Sequence, residues 1–383
     1  MILAAMLLIA QVTAAANGAA SGAANSAAAQ GAAAAAASAS EDSVPPNARF
    51  VHVLVVSIDG LRPDAIDPRP SGATPALARM LRGPGTLNAR TDPDITVTLP
   101  NHISMATGLL SELPSGHGWR ANEDRFFARG HATLHTQAER YVPSMFDVAH
   151  DEGVSTGVFA SKRKFWLFTT SYDSESGAVD ARAPDFGKQK LDMFVYAPRS
   201  SELAAQVAAW LTTRTAPSLA LVHFSDPDVE GHTSGWVLAP NSPYLAAVAR
   251  ADAALGALIA TVEGAPSLRE RTAIIVTTDH GGGDPLLSHT VARSPCNFRI
   301  PFLVWLGADS EPRDLAHLNA GRRAVPAIDV QVDQLEPLQP IRNGDAANLA
   351  LQLLGLPAVP GSTCNAKQDL LLEASPATRP SNP

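Results

Sequence analysis

The chain has 383 residues, 45% of them hydrophobic and only 17% charged, with a formal net charge of -8. This is enough apolar material for a large core in one or two domains, and it excludes a disordered polyelectrolyte. The acidic balance argues against nucleic acid as a partner.

Taken in chain order, residues 1–16 (MILAAMLLIAQVTAAA) are an apolar run ending in small residues, with no Lys or Arg before Arg49. The run is shorter than the roughly 20 residues a spanning helix needs. A secretory signal, and hence a periplasmic or secreted location, is expected, against an uncleaved anchor or a misassigned start codon. Residues 17–46 collapse to Ala, Gly, Ser and Asn without an apolar face and read as a flexible linker. A catalytic domain is expected over 47–372, followed by a polar, Pro-rich, disordered tail over 373–383.

Within the domain, residues 51–58 read as a strand. Thr74 and Pro75 open a short helix that Gly83 and Pro84 stop. A helix over 144–151 precedes the strand VSTGVFAS, and an amphipathic helix over 201–211 precedes a strand over 219–224. A long Ala- and Leu-rich helix over 244–262 follows, then strands over 272–277 and 301–306. A last helix over 345–354 ends with Gly355 at C′ and Pro357 beyond. This alternation predicts an α/β fold whose mainly parallel central sheet is covered on both faces by helices, with ligands at the carboxyl ends of the strands. Two cysteines, Cys296 and Cys364, form either one disulfide or two free thiols.

Three clusters of Asp and His follow such strands: Asp59 in HVLVVSIDGLRPD, Asp228 and His232 in LVHFSDPDVEGH, and Asp279, His280 and His289 in AIIVTTDHGGGDPLLSH. Carboxylates and imidazoles gathered at one sheet edge suit a pair of divalent cations. Asp59 alone also reads as a turn or capping residue. Asp228 and His232 lie four apart across an expected loop, with Asp226 and Glu230 as competing carboxylates. Thr98, in TVTLPNHISMATG, supplies a hydroxyl that metal coordination would convert to a nucleophile, with Thr96 as its neighbouring competitor. Pro100 and Asn101 suggest an irregular loop leading into the helix NHISMATGLL, whose amino end would favour a bound phosphate. Arg62, Arg120 and Lys162 to Lys164 are cations suited to a substrate anion, though most are expected to be solvated. His52, His131, His135, His150 and His317 are read as ordinary surface or core histidines. Residues 123–141 are a candidate lid.

Together, VSIDGLRPD, TLPNHISMATGLL with SGHGWRAN, DPDVEGH, and TTDHGG with its later SH resemble the alkaline phosphatase superfamily. Within it, they resemble the type I phosphodiesterase/nucleotide pyrophosphatase family, over residues 51 to about 306. The resemblance implies an alkaline phosphatase-like fold and two Zn2+ ions, other divalent transition metals being compatible with such ligands. One ion would be held by Asp59, Thr98, Asp279 and His280, and the other by Asp228, His232 and His289. Thr98 would attack phosphorus in line, giving a phosphothreonine that water hydrolyses. Asn122 falls where the family holds a nonbridging phosphoryl oxygen.

Family members acting on nucleotides have an aromatic residue after the nucleophile and a tyrosine five residues before the aspartate ligand. Here Leu99 and His223 take those two substrate-binding positions. The short spacing from His280 to His289 resembles a compact bacterial-type member. No C-x-P-x-R or S-x-P-x-R motif for a sulfatase occurs. The expected activity is hydrolysis of small-molecule phosphodiester or pyrophosphate bonds, with a phosphomonoesterase or phosphonate hydrolase as the alternative. A noncatalytic, metal-stabilised binding protein is the alternative of a different class. No stable protein partner is inferred.

Overall fold

The run HVLVVSI forms strand β1 (His52–Ile58), buried at every position. Its β-branched content suits a strand covered on both sides. The computed structural model describes residues 44–69, 71–123, 132–180, 187–214, 216–309 and 311–373. The expected leader, nearly all of the expected linker, residues 124–131 of the candidate lid, and the expected tail after Glu373 lie outside the described residues.

Beyond β1, the strands in chain order are β2 (Pro84–Arg90), β3 (Ser155–Ala160), β4 (Met193–Tyr196), β5 (Ser218–Phe224), β6 (Thr272–Thr277), β7 (Arg299–Trp305) and β8 (Arg313–Asp314). They form one sheet in the order β4-β3-β5-β1-β6-β7-β2-β8. The pairs β4–β3, β3–β5, β5–β1 and β1–β6 are parallel, whereas β7 runs antiparallel to both β6 and β2. The helices used below are α1 (Pro75–Met80), α2 (Thr98–Thr107), α3 (Met145–Asp151), α4 (Ser200–Thr212), α5 (Asp226–Ser234), α6 (Pro243–Gly264) and α7 (Asp345–Leu353).

Alternate residues of the central strands feed two separate cores, as the period of two in a strand requires. Val53 and Val55 of β1, Leu221 of β5 and Ile275 of β6 pack with Ile103 of α2, Phe146 of α3 and Leu349 of α7. Leu54, Val56 and Ile58 of β1 pack on the other face with Leu77 of α1, Leu203 of α4 and Leu255 of α6. The expected α/β architecture with helices on both faces is therefore found. Helix α6 is apolar and long enough to cross a membrane, but half of its most apolar window is buried inside the protein.

The structure alters three local readings. Strand β2, which begins with Pro84 and Gly85, carries no alternation that marks it as a strand. The helix expected after an irregular loop at Pro100 begins at Thr98 itself, because Pro at the third helical position needs no N–H partner there. The segment DPDVEGH is helical rather than a loop, opened by Asp226 and Pro227. Both cysteines are free thiols, Cys364 being buried.

Register positions the site. Ile58 of β1 pairs with Phe224 of β5, and Ser57 with Thr277 of β6, so the three central strands end together. Asp59, the start of α5 and the Asp279–His280 pair all leave the sheet at this edge. Gly60 turns the chain with φ +73°, and a Cβ there would lie 3.0 Å from the Asp228 Cα. Only glycine meets both demands without strain.

Candidate metal and phosphoryl site

Asp59, Asp279 and His280 form one buried group whose ligand atoms lie within 4.8 Å of one another, and Asp228, His232 and His289 form a second. All six side chains come from the three strand ends. Helix α5 carries Asp228 and His232 on one face, since residues four apart are neighbours on a helix. His289 returns through the loop after the glycines. A third group, His150, Asp151 and Asp180, lies elsewhere. There the Lys190 ammonium sits 2.7 Å from Asp151 Oδ1 and 2.6 Å from Asp180 Oδ2.

Backbone carbonyls fix the tautomer of each histidine. The Nδ1–H of His280 donates to Gly281 O at 2.8 Å, that of His289 to Thr96 O at 2.5 Å, and that of His232 to Leu287 O at 2.8 Å. A carbonyl only accepts, so Nδ1 carries the proton and each Nε2 presents a lone pair. Nε2 of His232 and Nε2 of His289 face each other at 3.2 Å. Two lone pairs so placed repel unless a cation lies between them or one ring is protonated. Burial drives His280 down to about 3 and also lowers His289, which keeps these rings neutral.

The carboxylates divide their oxygens in a consistent way. Asp59 Oδ1, Asp228 Oδ1, Asp279 Oδ2 and His280 Nε2 are buried without a hydrogen-bond partner. Such atoms are costly unless something pairs with them, and four converging ones fit a metal centre. The outer oxygens are held instead: Asp59 Oδ2 accepts from His223 Nε2 at 2.8 Å and from Lys162 Nζ at 2.6 Å, and Asp228 Oδ2 from Lys162 Nζ at 2.5 Å. Burial alone would raise the Asp59 carboxyl, but Lys162 and His223 hold it well below the usual range. Burial and the Asp59 carboxylate push Asp279 up.

Thr98 opens α2 and is buried, with its Oγ1 3.4 Å from Lys162 Nζ. His102, one turn later, donates from Nδ1 to Thr98 O at 2.7 Å and accepts at Nε2 from Ser57 Oγ at 2.8 Å. This ties the first turn of α2 to β1. The competitors are otherwise engaged. Thr96 Oγ1 donates to His289 O, Asp226 accepts from Ser200 and Arg250, and Glu230 accepts from Ser234.

Asn122 reaches the same turn. Its Oδ1 accepts from Leu99 N at 2.9 Å and from Lys164 Nζ at 2.9 Å, which leaves its Nδ2 hydrogens as the free donors. Lys164 is buried, and burial followed by repulsion from Lys162 lowers it to about 8.

Two of the expected substrate positions are buried. Leu99 is fully buried and packs in the core, so only its backbone N–H faces the site. His223 is fully buried and spends Nε2 on Asp59, with Nδ1 3.1 Å from Ser161 Oγ. Arg120 pairs with Glu112 at the surface, and Arg62 with Asp64. Lys162, one of the cations considered for a substrate anion, instead contacts Asp59, Asp228 and Thr98 within the site. A lysine two residues past a strand end carries no mark of this in the sequence. Only the alignment of β3 beside β5 brings it in.

The family model for type I phosphodiesterase / nucleotide pyrophosphatase matches residues 53–291. The human ectonucleotide pyrophosphatase/phosphodiesterase family member 5 is 28% identical over 243 residues, which cover 60% of this chain and 44% of that protein. The match thus spans less than half the length of this curated relative. Among solved structures, an alkaline phosphatase superfamily protein from Vibrio parahaemolyticus superposes with a TM-score of 0.53 at 16% identity, covering 85% of this chain and 71% of that one. Murine ectonucleotide pyrophosphatase/phosphodiesterase 5 gives a TM-score of 0.48 at 20% identity, over 83% and 99% of the two chains. The likeness to the Vibrio parahaemolyticus structure concerns the fold; the family match, which runs through all three Asp and His clusters as far as His289 and over more than half of the chain, places this protein in the type I phosphodiesterase/nucleotide pyrophosphatase family.

Proposed function

We propose that the protein hydrolyses phosphodiester or pyrophosphate bonds in small exported molecules, with Thr98 as nucleophile. The observation that carries this reading is the set of four buried, unpartnered atoms on Asp59, Asp228, Asp279 and His280 beside a buried threonine. Asp59, Asp279 and His280, with Thr98, would hold one zinc or similar divalent ion, and Asp228, His232 and His289 a second. When bound, such ions supply the charge that lowers the pKa of a coordinated hydroxyl and neutralises phosphoryl oxygens.

The residues of the chain account for the remaining steps. Thr98 Oγ gives up its proton and forms a bond to phosphorus while the bond to the leaving oxygen opposite breaks, and the leaving group takes the electron pair and a proton from solvent. Asn122, its Oδ1 already committed to Leu99 N and Lys164, directs its amide hydrogens to a nonbridging oxygen. The amino end of α2, which begins at Thr98, adds the positive end of its dipole beside the same charge. Water then displaces Thr98 from the phosphothreonine, restoring the hydroxyl and releasing a phosphate monoester. Neither Leu99 nor His223 offers a stacking surface for a base, which leaves the substrate class at small phosphate esters rather than nucleotides in particular.

A phosphomonoesterase is the second reading, favoured by Lys162 and Lys164 beside Thr98 and Asn122. Two ammonium groups there suit a phosphoryl group with an extra negative charge. Hydrolysis of bis-p-nitrophenyl phosphate against p-nitrophenyl phosphate, before and after chelation and zinc restoration, separates the two. Faster, zinc-dependent diester cleavage is expected. Preference for the monoester would establish the second reading, and zinc-independent cleavage of either would remove both.

A further inference from the structure

Lys162 Nζ makes three contacts, to Asp59 Oδ2 at 2.6 Å, Asp228 Oδ2 at 2.5 Å and Thr98 Oγ1 at 3.4 Å. An ammonium has three hydrogens, so the group is saturated by one carboxylate from each ligand group and the candidate nucleophile. We propose that Lys162 is a positioning residue that cross-links the two metal groups, turning Asp59 Oδ1 and Asp228 Oδ1 toward the two ions. The inference rests on the two-metal reading above.

The geometry that delivers Lys162 is built into the sheet. Ala160 of β3 is in register with His223 of β5, and Ser161 continues the contact, its N–H reaching His223 O at 3.2 Å and its Oγ donating to the same oxygen at 3.0 Å. The chain is thus anchored one residue before Lys162. Lys162 itself is extended, with φ -124° and ψ 135°, and precedes the turn Arg163–Phe165. Its side chain is 18% exposed. This is not a lysine that wandered in from the surface.

The consequence lies in which oxygen each carboxylate keeps free. A carboxylate that rotates freely binds a cation through either oxygen or through both. Asp59 Oδ2 is held by two donors, Lys162 and His223, and Asp228 Oδ2 by Lys162, while the Oδ1 atom of each remains buried and unpartnered. Each carboxylate is therefore set to offer one oxygen. Because a single ammonium holds both, the separation of the two ligand groups is fixed by one side chain. Before metal loading, the same charge offsets the repulsion among Asp59, Asp228 and Asp279, which are packed together away from water. Partners of this kind orient metal ligands, and their loss typically weakens binding 10- to 100-fold.

The test is zinc titration by calorimetry into chelator-treated full-length protein, with cobalt substitution to read coordination from the visible spectrum. Wild-type protein is expected to take up two zinc ions per chain. Lys162→Met should bind zinc about 10- to 100-fold more weakly at one or both sites, with a changed cobalt spectrum. Lys162→Arg, whose guanidinium still reaches two carboxylates, should recover most of the affinity. Lys162→Gln keeps a neutral donor and should fall between them, which provides a measurement if the methionine variant does not fold. Unchanged zinc affinity and cobalt spectra in both Lys162→Met and Lys162→Gln, even with turnover lost, would overturn the proposal and make Lys162 a substrate contact alone. A wild-type chain that binds no zinc would overturn the two-metal reading, and this proposal with it.

Discussion

The side chains that matter most are prepared by hydrogen bonds on the side facing away from the reaction. Three backbone carbonyls hold the Nδ1–H groups of His232, His280 and His289, so that every free imidazole nitrogen faces inward. Thr98→Ala should therefore leave metal content intact while lowering kcat by at least about 10³-fold, as loss of a nucleophile does. Metal analysis beside steady-state kinetics checks this, and loss of bound metal with unfolding would point to a structural role for Thr98. Lys164 provides a pH signature. Held at about 8 by burial and by Lys162, it is cationic below that pH and neutral above it, so its attraction for a substrate anion fades as pH rises through about 8. KM should rise on that alkaline side, and Lys164→Arg should remove the rise; an unchanged profile in the arginine variant would exclude Lys164 as its source. The Asp and His residues that the fold brings together were legible in the sequence because such residues at the ends of apolar runs are conspicuous. Lys162 and His223 were not, since their roles depend on which strands lie side by side.

At the level of elements, several local signals worked because short-range chemistry determined them. Ser144 caps α3 with a reciprocal Ser144–Asp147 capping box, and Gly355 follows α7 with φ +71°. Helix α1 has the expected Thr74 and Pro75, yet the hydroxyl of Thr74 makes no capping bond. The carboxylate of Asp252 on α6 does so instead, accepting from Ala76 N at 3.1 Å and Leu77 N at 2.7 Å. Asp252→Ala should cost about 1–2 kcal/mol in a urea unfolding curve, the range for a lost cap, and no loss would show α1 to be held by packing alone. Gly282 carries a similar message. A Cβ there would stand 2.1 Å from the Trp236 ring, whose Nε1–H donates to Gly60 O. Gly282→Ala should lower both stability and metal affinity, because the tryptophan cannot move without disturbing the turn beside Asp59. The strands β2, β4 and β8 escaped the sequence reading because they are short or contain Pro and Gly, and long-range pairing rather than local propensity makes them strands.

For the whole molecule, a mixed sheet with two cores gathers Asp and His side chains that lie more than 200 positions apart in the chain, Asp59 with Asp279 among them. Parallel order around β1 was foreseeable from the alternation of strands and helices; the antiparallel β7 was not, because its connection back from the site is irregular. The same burial that builds the site sets the response to acid. His52 is lowered to about 4 by burial and then by Arg271, and His117 to about 3 chiefly by burial. Both are depressed below the unfolded value of about 6.5, so their contribution is complete above that pH and is lost as pH falls toward 4 and then 3. The melting temperature should drop steadily below pH 6.5, and His117→Gln should show a shallower drop from a lower starting point. Equal acid sensitivity in that variant would assign the effect to other groups. The proposed site would hold two divalent ions, one on each group of Asp and His side chains. Anomalous scattering at the zinc edge from crystals of zinc-loaded protein tests it most directly. Two peaks are expected, one among Asp59, Thr98, Asp279 and His280 and one among Asp228, His232 and His289. A single peak, or zinc found only at His150 and Asp180, would contradict it.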